Sequence, residues 1–334
     1  MDDRREERPR GTRLGSWRGL VPLGAAAAAA LFIGGGVDVV QRHQRADEKP
    51  REAKAAAEAK RTEPRFVVGV TTSGTALVVR DIDTGADVGL PVAAPQGRRF
   101  QRVAAAKDGS YVVASYADRK VTFQRLLLDE DGRPKDLQDL PKATVPGVST
   151  PWSELAVSPD GGQVAFVTYK GARSRVDVVS VATGTHKVWT TKSSGRVGSL
   201  SWSGATLSFV WSPVRSVDGD FKETGHQVRT LDTGGAAGDL KLSKPVLTLP
   251  KGSTTAILTG RTIVAGIVKD SQLSLQAYTL AGQPTKVLWR QEVKGELTGL
   301  DAAHTGGRLL ATAGDLYTRG APAVPGEDLA DAAW

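Results

Sequence analysis

The feature that most constrains this chain is a strand–turn–strand unit that returns along its C-terminal four fifths. Its fullest copy is Trp152-Ser-Glu-Leu-Ala-Val-Ser-Pro-Asp-Gly-Gly-Gln-Val-Ala-Phe-Val-Thr-Tyr169. A β-branched and aromatic run enters a Ser-Pro-Asp-Gly turn, and a second run leaves it. Each turn residue has a mechanical role: proline presets φ, aspartate bonds the local backbone, and glycine takes a positive φ. Asp177 to Val181, an Ala182-Thr-Gly184 turn and His186 to Thr190 supply a third and a fourth strand.

The unit recurs without gaps. Phe100 to Gly109 and Leu297 to Gly306 align with Trp152 to Gly161. Val197 to Ser203 followed by Leu207 to Trp211, and Thr254 to Leu258 followed by Ile263 to Val268, give two more pairs. The turn glycines 109, 161, 204, 260 and 306 lie 52, 43, 56 and 46 residues apart, a spacing that suits four strands per unit and hence propeller blades. Asp83-Thr-Gly85 and Asp232-Thr-Gly234 repeat the turn after the third strand. The first unit begins at Phe66 without an inner strand, whereas Leu329 to Trp334 follows a completed unit and matches Val197 to Trp202 position by position. Residues 327–334 are therefore expected to form the innermost strand of the first blade, removing the open edge of the ring. The fold expected for 66–334 is an all-β, six-bladed β-propeller closed by its C-terminal strand; seven blades is the rival if two units have been merged.

The Ser158-Pro-Asp-Gly-Gly-Gln-Val-Ala-Phe166 motif and the Thr-Gly turns resemble the WD40-like repeats of TolB-type bacterial propellers. They are particularly similar to membrane-anchored examples from high-GC Gram-positive bacteria. The resemblance covers about residues 66–334, with the full motif in one repeat. It implies a six-bladed fold and extracytoplasmic protein binding, and it carries over no catalytic residue.

The first 65 residues have a different composition. Residues 1–18 are polar and carry six arginines, as expected of a basic cytoplasmic tail. From Gly19 to Val37 no residue is charged, and at about 1.5 Å per residue such a run spans roughly 28 Å, enough for a bilayer core. A transmembrane helix is expected over 19–40, with Trp17 at the interface. A cleaved signal peptide would use Ala28-x-Ala30, but apolar Leu31, Phe32 and Ile33 follow without a polar break. Six basic residues precede the segment, against Arg42, Arg45, Lys49 and Arg51 shortly after it. This asymmetry orients the N-terminus inside and the propeller outside the plasma membrane, single-pass. Residues 41–65, charged and alanine-rich, read as a helical stalk.

Composition narrows the chemistry. With no cysteine, thiolate catalysis, disulfides and Cys-based metal sites are excluded. The net charge of +8 invites a nucleic-acid reading, but residues 64–334 hold 31 Lys/Arg against 26 Asp/Glu, a net of only +5; a nucleic-acid partner is not expected. The histidines His43, His186, His226 and His304 read as surface or turn residues, and Asp129 to Gly132 and Asp218 to Asp220 as tight turns rather than calcium loops. No cofactor and no catalytic constellation is expected. Trp152, Trp189, Trp202, Trp211, Trp289 and Trp334 fall at strand positions, where packing between blades, rather than an exposed stacking platform, accounts for them.

One constellation remains. Loops joining strand four to strand one, and strand two to strand three, share one face of a propeller. On this strand map that face carries Arg98, Arg99, Arg119, Lys120, Arg173, Arg175, Arg215 and Lys222, and its longest loop is Ser212 to Gln227. These residues suggest a binding face for a protein or an anionic wall polymer. The rival function is an enzyme on a propeller scaffold, lactonase- or lyase-like, with a metal in the channel.

Overall fold

The computed structural model describes residues 64–334 except 219 and 304–306. Among these residues the chain forms six sheets, antiparallel but for one short outer pairing. Blade 1 contains Phe66–Thr71, Ala76–Asp81 and Val92–Ala93, with Leu329–Ala333 added at its inner edge. Blade 2 runs Arg99–Ala105, Tyr111–Ala117, Lys120–Leu128 and Pro134–Pro146. Blade 3 runs Leu155–Val157, Gln163–Lys170, Arg173–Ser180 and His186–Thr190. Blade 4 runs Gly195–Ser203, Thr206–Val217, Gln227–Asp232 and Lys244–Thr248; blade 5 runs Thr255–Thr259, Thr262–Lys269, Gln272–Thr279 and Pro284–Glu292. Blade 6 has Gly299–Ala302, Leu309–Ala313 and Asp315–Thr318, with a bridge from Leu316 to Val324 in the fourth position. Each innermost strand touches those of both neighbouring blades, including blade 6 against blade 1. The sheets therefore close into a six-bladed ring.

The closing strand sits where the repeat alignment expects it. Val68 pairs with Ala333, Gly69 with Ala332 and Val70 with Asp331. Arg80 of blade 1 grips the approach to that strand, donating from both terminal nitrogens to Asp328 at 2.9 and 2.6 Å.

Sandwiching between neighbours explains the strand composition. A second or third strand has a blade on either side, so its residues are buried whichever way they point, as in Val164 to Tyr169. Outer strands meet solvent, and Pro284–Glu292 is mostly exposed. Apolar side chains gather in six clusters, each dominated by residues of two adjacent blades. Phe123 meets Phe166 edge to face at 5.8 Å between blades 2 and 3, while Trp189 and Phe209 are fully buried between blades 3 and 4.

The turns use the chemistry their residues suggest. Gly161 has φ +68°, the Gly162 N–H donates to Asp160 at 3.0 Å, and the Gln163 N–H donates to the Ser158 hydroxyl at 2.9 Å. Gly85 and Gly184 also take positive φ in their Thr-Gly turns. Asp232-Thr-Gly234 differs. Lys187 Nζ donates to the carbonyls of Thr233 and Gly234, and Trp189 Nε1 to that of Ala236 at 3.1 Å. These bonds draw the segment onto blade 3, where Gly238–Asp239 pairs in parallel with the outer strand.

The apolar run 19–37 and the stalk lie outside the described residues. Among the described residues no helix is long and apolar enough to cross a membrane.

Candidate functional site

The six inner strands surround a central cavity of about 670 Å³, lined by residues from every blade. It includes Pro151, Trp152 and Glu296 from strand-four-to-strand-one connections, and Glu223 from a strand-two-to-strand-three hairpin. Its mouth therefore opens on the face that the sequence marks as basic.

The repeat itself places the channel side chains. The third position of the aligned first-strand unit holds Arg102, Glu154, Ser199, Gly299 and Asp331 in blades 2, 3, 4, 6 and 1, and all five line the cavity. Ring closure thus brings together residues up to 229 positions apart. Sequence reading missed this group, although a polar side chain recurring at one register position in four of the six blades is a usable signal.

Arg102 organises this ring. It donates to the carbonyls of Ser153, Pro151 and, at 3.2 Å, Ala330, and lies 3.8 Å from Asp331. One guanidinium thereby ties blade 2 to the entry of blade 3 and to the closing strand. Asp331 accepts the Val103 N–H at 2.8 Å; burial nevertheless raises its pKa, with Arg102 and the N–H bonds opposing. Burial also pushes Glu154 up to about 7, against the attraction of Arg102 and with Asp331 adding repulsion. Glu154 keeps some accessible surface inside the channel, but protein surrounds it at longer range. That longer-range environment governs its ionisation, because a charge polarises more than its contact layer. The Ser199 N–H donates to Glu154. Ser199 has φ +52° in mid-strand, at a register shift between Gly198 and Ser201.

Trp152 departs from the core-packing expectation: it is 51% exposed at the channel mouth. Arg196 stacks over its ring at 4.0 Å and is held by Glu223 at 2.6 Å. Tyr169 packs against it at 6.5 Å with rings inclined 74°. Trp189 and Trp334 are buried, as packing between blades requires.

The eight basic candidates divide. Arg99, Arg119, Lys120, Arg173, Arg215 and Lys222 are exposed at strand ends or hairpins of the mouth face. Arg98 donates to the Thr122 hydroxyl. Arg175 lies inside a strand rather than a loop and donates to buried Asp177, which His186 also approaches. Ser212 to Gln227 is not an irregular loop. The second strand of blade 4 continues to Val217 and pairs with Asp220–Glu223, leaving Val217 and Phe221 exposed. Asp218, at φ +54°, supplies a positive φ that a tight hairpin turn requires. His226 Nδ1 lies 2.7 Å from the Ser212 hydroxyl oxygen; His43 and His304 are outside the described residues. Acids line the channel, yet no three His, Asp or Glu side chains among the described residues are grouped to hold a metal ion. Asp129 forms a tight turn, accepting from the N–H groups of Asp131 and Arg133.

A closed ring of six sheets around an axial channel defines a β-propeller, and solved structures share that fold. The structure of TolB from Acinetobacter baumannii is similar with a TM-score of 0.50 and 14% identity, over 80% of this chain and 66% of that one. This chain thus spans just under two thirds of that protein. A protein of unknown function from Bacteroides caccae (TM-score 0.47, 12% identity, 81% of this chain and 98% of that one) is also similar. So is a putative 6-phosphogluconolactonase from Bacteroides uniformis (0.42, 15%, 76% and 92%). At these identities the likeness shows the fold alone. No family model and no curated protein matches the sequence.

Proposed function

We propose that this chain is a non-catalytic binding or scaffold module, anchored by its N-terminal apolar segment with the propeller outside the cytoplasm. It engages a protein or an anionic wall polymer through the mouth face. The observation that carries this reading is the set of exposed cations on that face. Arg99, Arg119, Lys120, Arg173, Arg215 and Lys222 are exposed, and none forms an ion pair with a described carboxylate. Arg215 stands directly opposite Lys222 in the blade 4 hairpin, an arrangement that opposes pairing by some tenths of a kcal/mol. A bound anionic surface relieves that repulsion.

Cross-linking on intact cells, followed by mass spectrometry, tests the reading. The wild-type chain is expected to capture a partner that a variant with Arg99, Arg119, Arg173 and Arg215 changed to alanine loses, in a salt-dependent manner. Unchanged capture by the folded variant would sink the basic-face assignment. Turnover of a small molecule by purified protein, with no partner recovered, would overturn the non-enzyme assignment.

A further inference from the structure

The channel differs chemically from its rim. The rim is basic, whereas Glu154, Asp331, Asp301 and Glu296 line the cavity beside two arginines, Arg102 and Arg196, that are already committed to carbonyls or carboxylates. An anion is therefore disfavoured inside. The cavity volume, about 670 Å³, lies within the roughly 300–1,000 Å³ range of small-molecule sites.

We propose that the upper channel is a second binding site, for an uncharged saccharide that stacks on Trp152 and directs its hydroxyls at Glu154 and Asp331. An indole half-exposed yet fixed by Arg196 and Tyr169 is a pre-organised platform. The apolar C–H face of a pyranose covers such a ring, while its equatorial hydroxyls require donors and acceptors around the edge. Carboxylate oxygens and the hydroxyls of Thr254 and Thr298 line the same cavity. Near neutral pH Glu154 is present in both protonation states, so it both donates to and accepts from hydroxyls. Ser199 adds an independent sign. A non-glycine residue held at φ +52° within a strand is strained backbone, which persists where surrounding contacts enforce it and clusters at ligand sites. Here it turns an N–H onto Glu154.

The test uses full-length protein in detergent, titrated calorimetrically and by tryptophan fluorescence with maltotriose, cellotriose, mannotriose and tri-N-acetylchitotriose. At least one trisaccharide is expected to bind saturably. Trp152→Ala should weaken that binding by about tenfold or more, and Trp152→Phe should retain part of it. The four-arginine rim variant should bind the sugar as wild type does, which separates this site from the rim. Absence of binding by all four sugars up to about 10 mM, or equal binding by wild type and Trp152→Ala, overturns the proposal.

Discussion

Replacing Glu154 by glutamine should stabilise the propeller, but only where the carboxylate is charged. Burial raises the Glu154 pKa from 4.5 to about 7. A change of that size corresponds to about 3 kcal/mol; contact with channel water reduces the expectation to about 2–3 kcal/mol. The folded protein holds this proton over a pH range in which the unfolded chain has released it. Wild-type stability therefore falls as pH rises from about 4.5 to about 7, and the loss is complete above that range. Glutamine resembles the protonated acid and keeps an oxygen for the Ser199 N–H. The variant should thus match wild type near pH 4.5 and exceed it by about 2–3 kcal/mol at pH 8, roughly 5–10 °C in Tm for a domain of this size. Urea unfolding followed by tryptophan fluorescence at pH 4.5, 6, 7 and 8 measures the difference. Asp331 contributes its own pH dependence to both proteins, so the difference between them isolates Glu154. An equal offset at every pH, or a glutamine variant less stable at pH 8, would refute the claim that burial governs this group.

Arg102→Met should destabilise by about 3 kcal/mol at neutral pH, since it strips donors from three carbonyls and the nearby cation from Asp331 and Glu154; the deficit should shrink on acidification as those carboxyls protonate, as urea midpoints at pH 5 and 8 will show. Truncation after Asp328 removes the closing strand and opens the edge at Val68 and Val70. It should abolish cooperative thermal unfolding monitored by circular dichroism, and an unchanged transition would contradict closure by this strand. Gly195→Ala places a Cβ 1.9 Å from the Trp211 ring, so a loss of about 1–3 kcal/mol is expected in the urea midpoint.

The blade pattern was legible because it is local. Ser158 to Gly161 spells out a turn, and the closing strand could be recognised because Leu329 to Trp334 repeats Val197 to Trp202. The hairpin that pairs Val217 with Asp220 is equally local, but it extends beyond the four-strand template and so reads as a loop. Arg175 illustrates the next limit: alternation assigns a strand residue to a face, yet only the fold brings Asp177 and His186 to bear on that face. Trp152 shows a related limit. Its aligned equivalents Phe100 and Leu297 are buried between blades, whereas the Trp152 ring lies at the channel mouth against Arg196 and Tyr169.

The channel lay further from reach because its chemistry is collective. Arg102, Glu154, Ser199 and Asp331 are unremarkable separately: each is a polar residue in or beside an inner strand, explicable as a solvent-facing position. Their shared register position makes them converge only once the ring closes, and closure depends on the last residues of the chain. Convergence then alters each of them. Glu154 loses water and gains Asp331 as a neighbour, Arg102 is drawn onto carbonyls of two other blades, and Ser199 takes a conformation that an isolated strand would avoid. In a propeller, therefore, the informative comparison is between copies of the repeat rather than along the strand. A position that changes from arginine to glutamate to serine to aspartate between copies of the repeat is where the blades stop being equivalent and a site can be built.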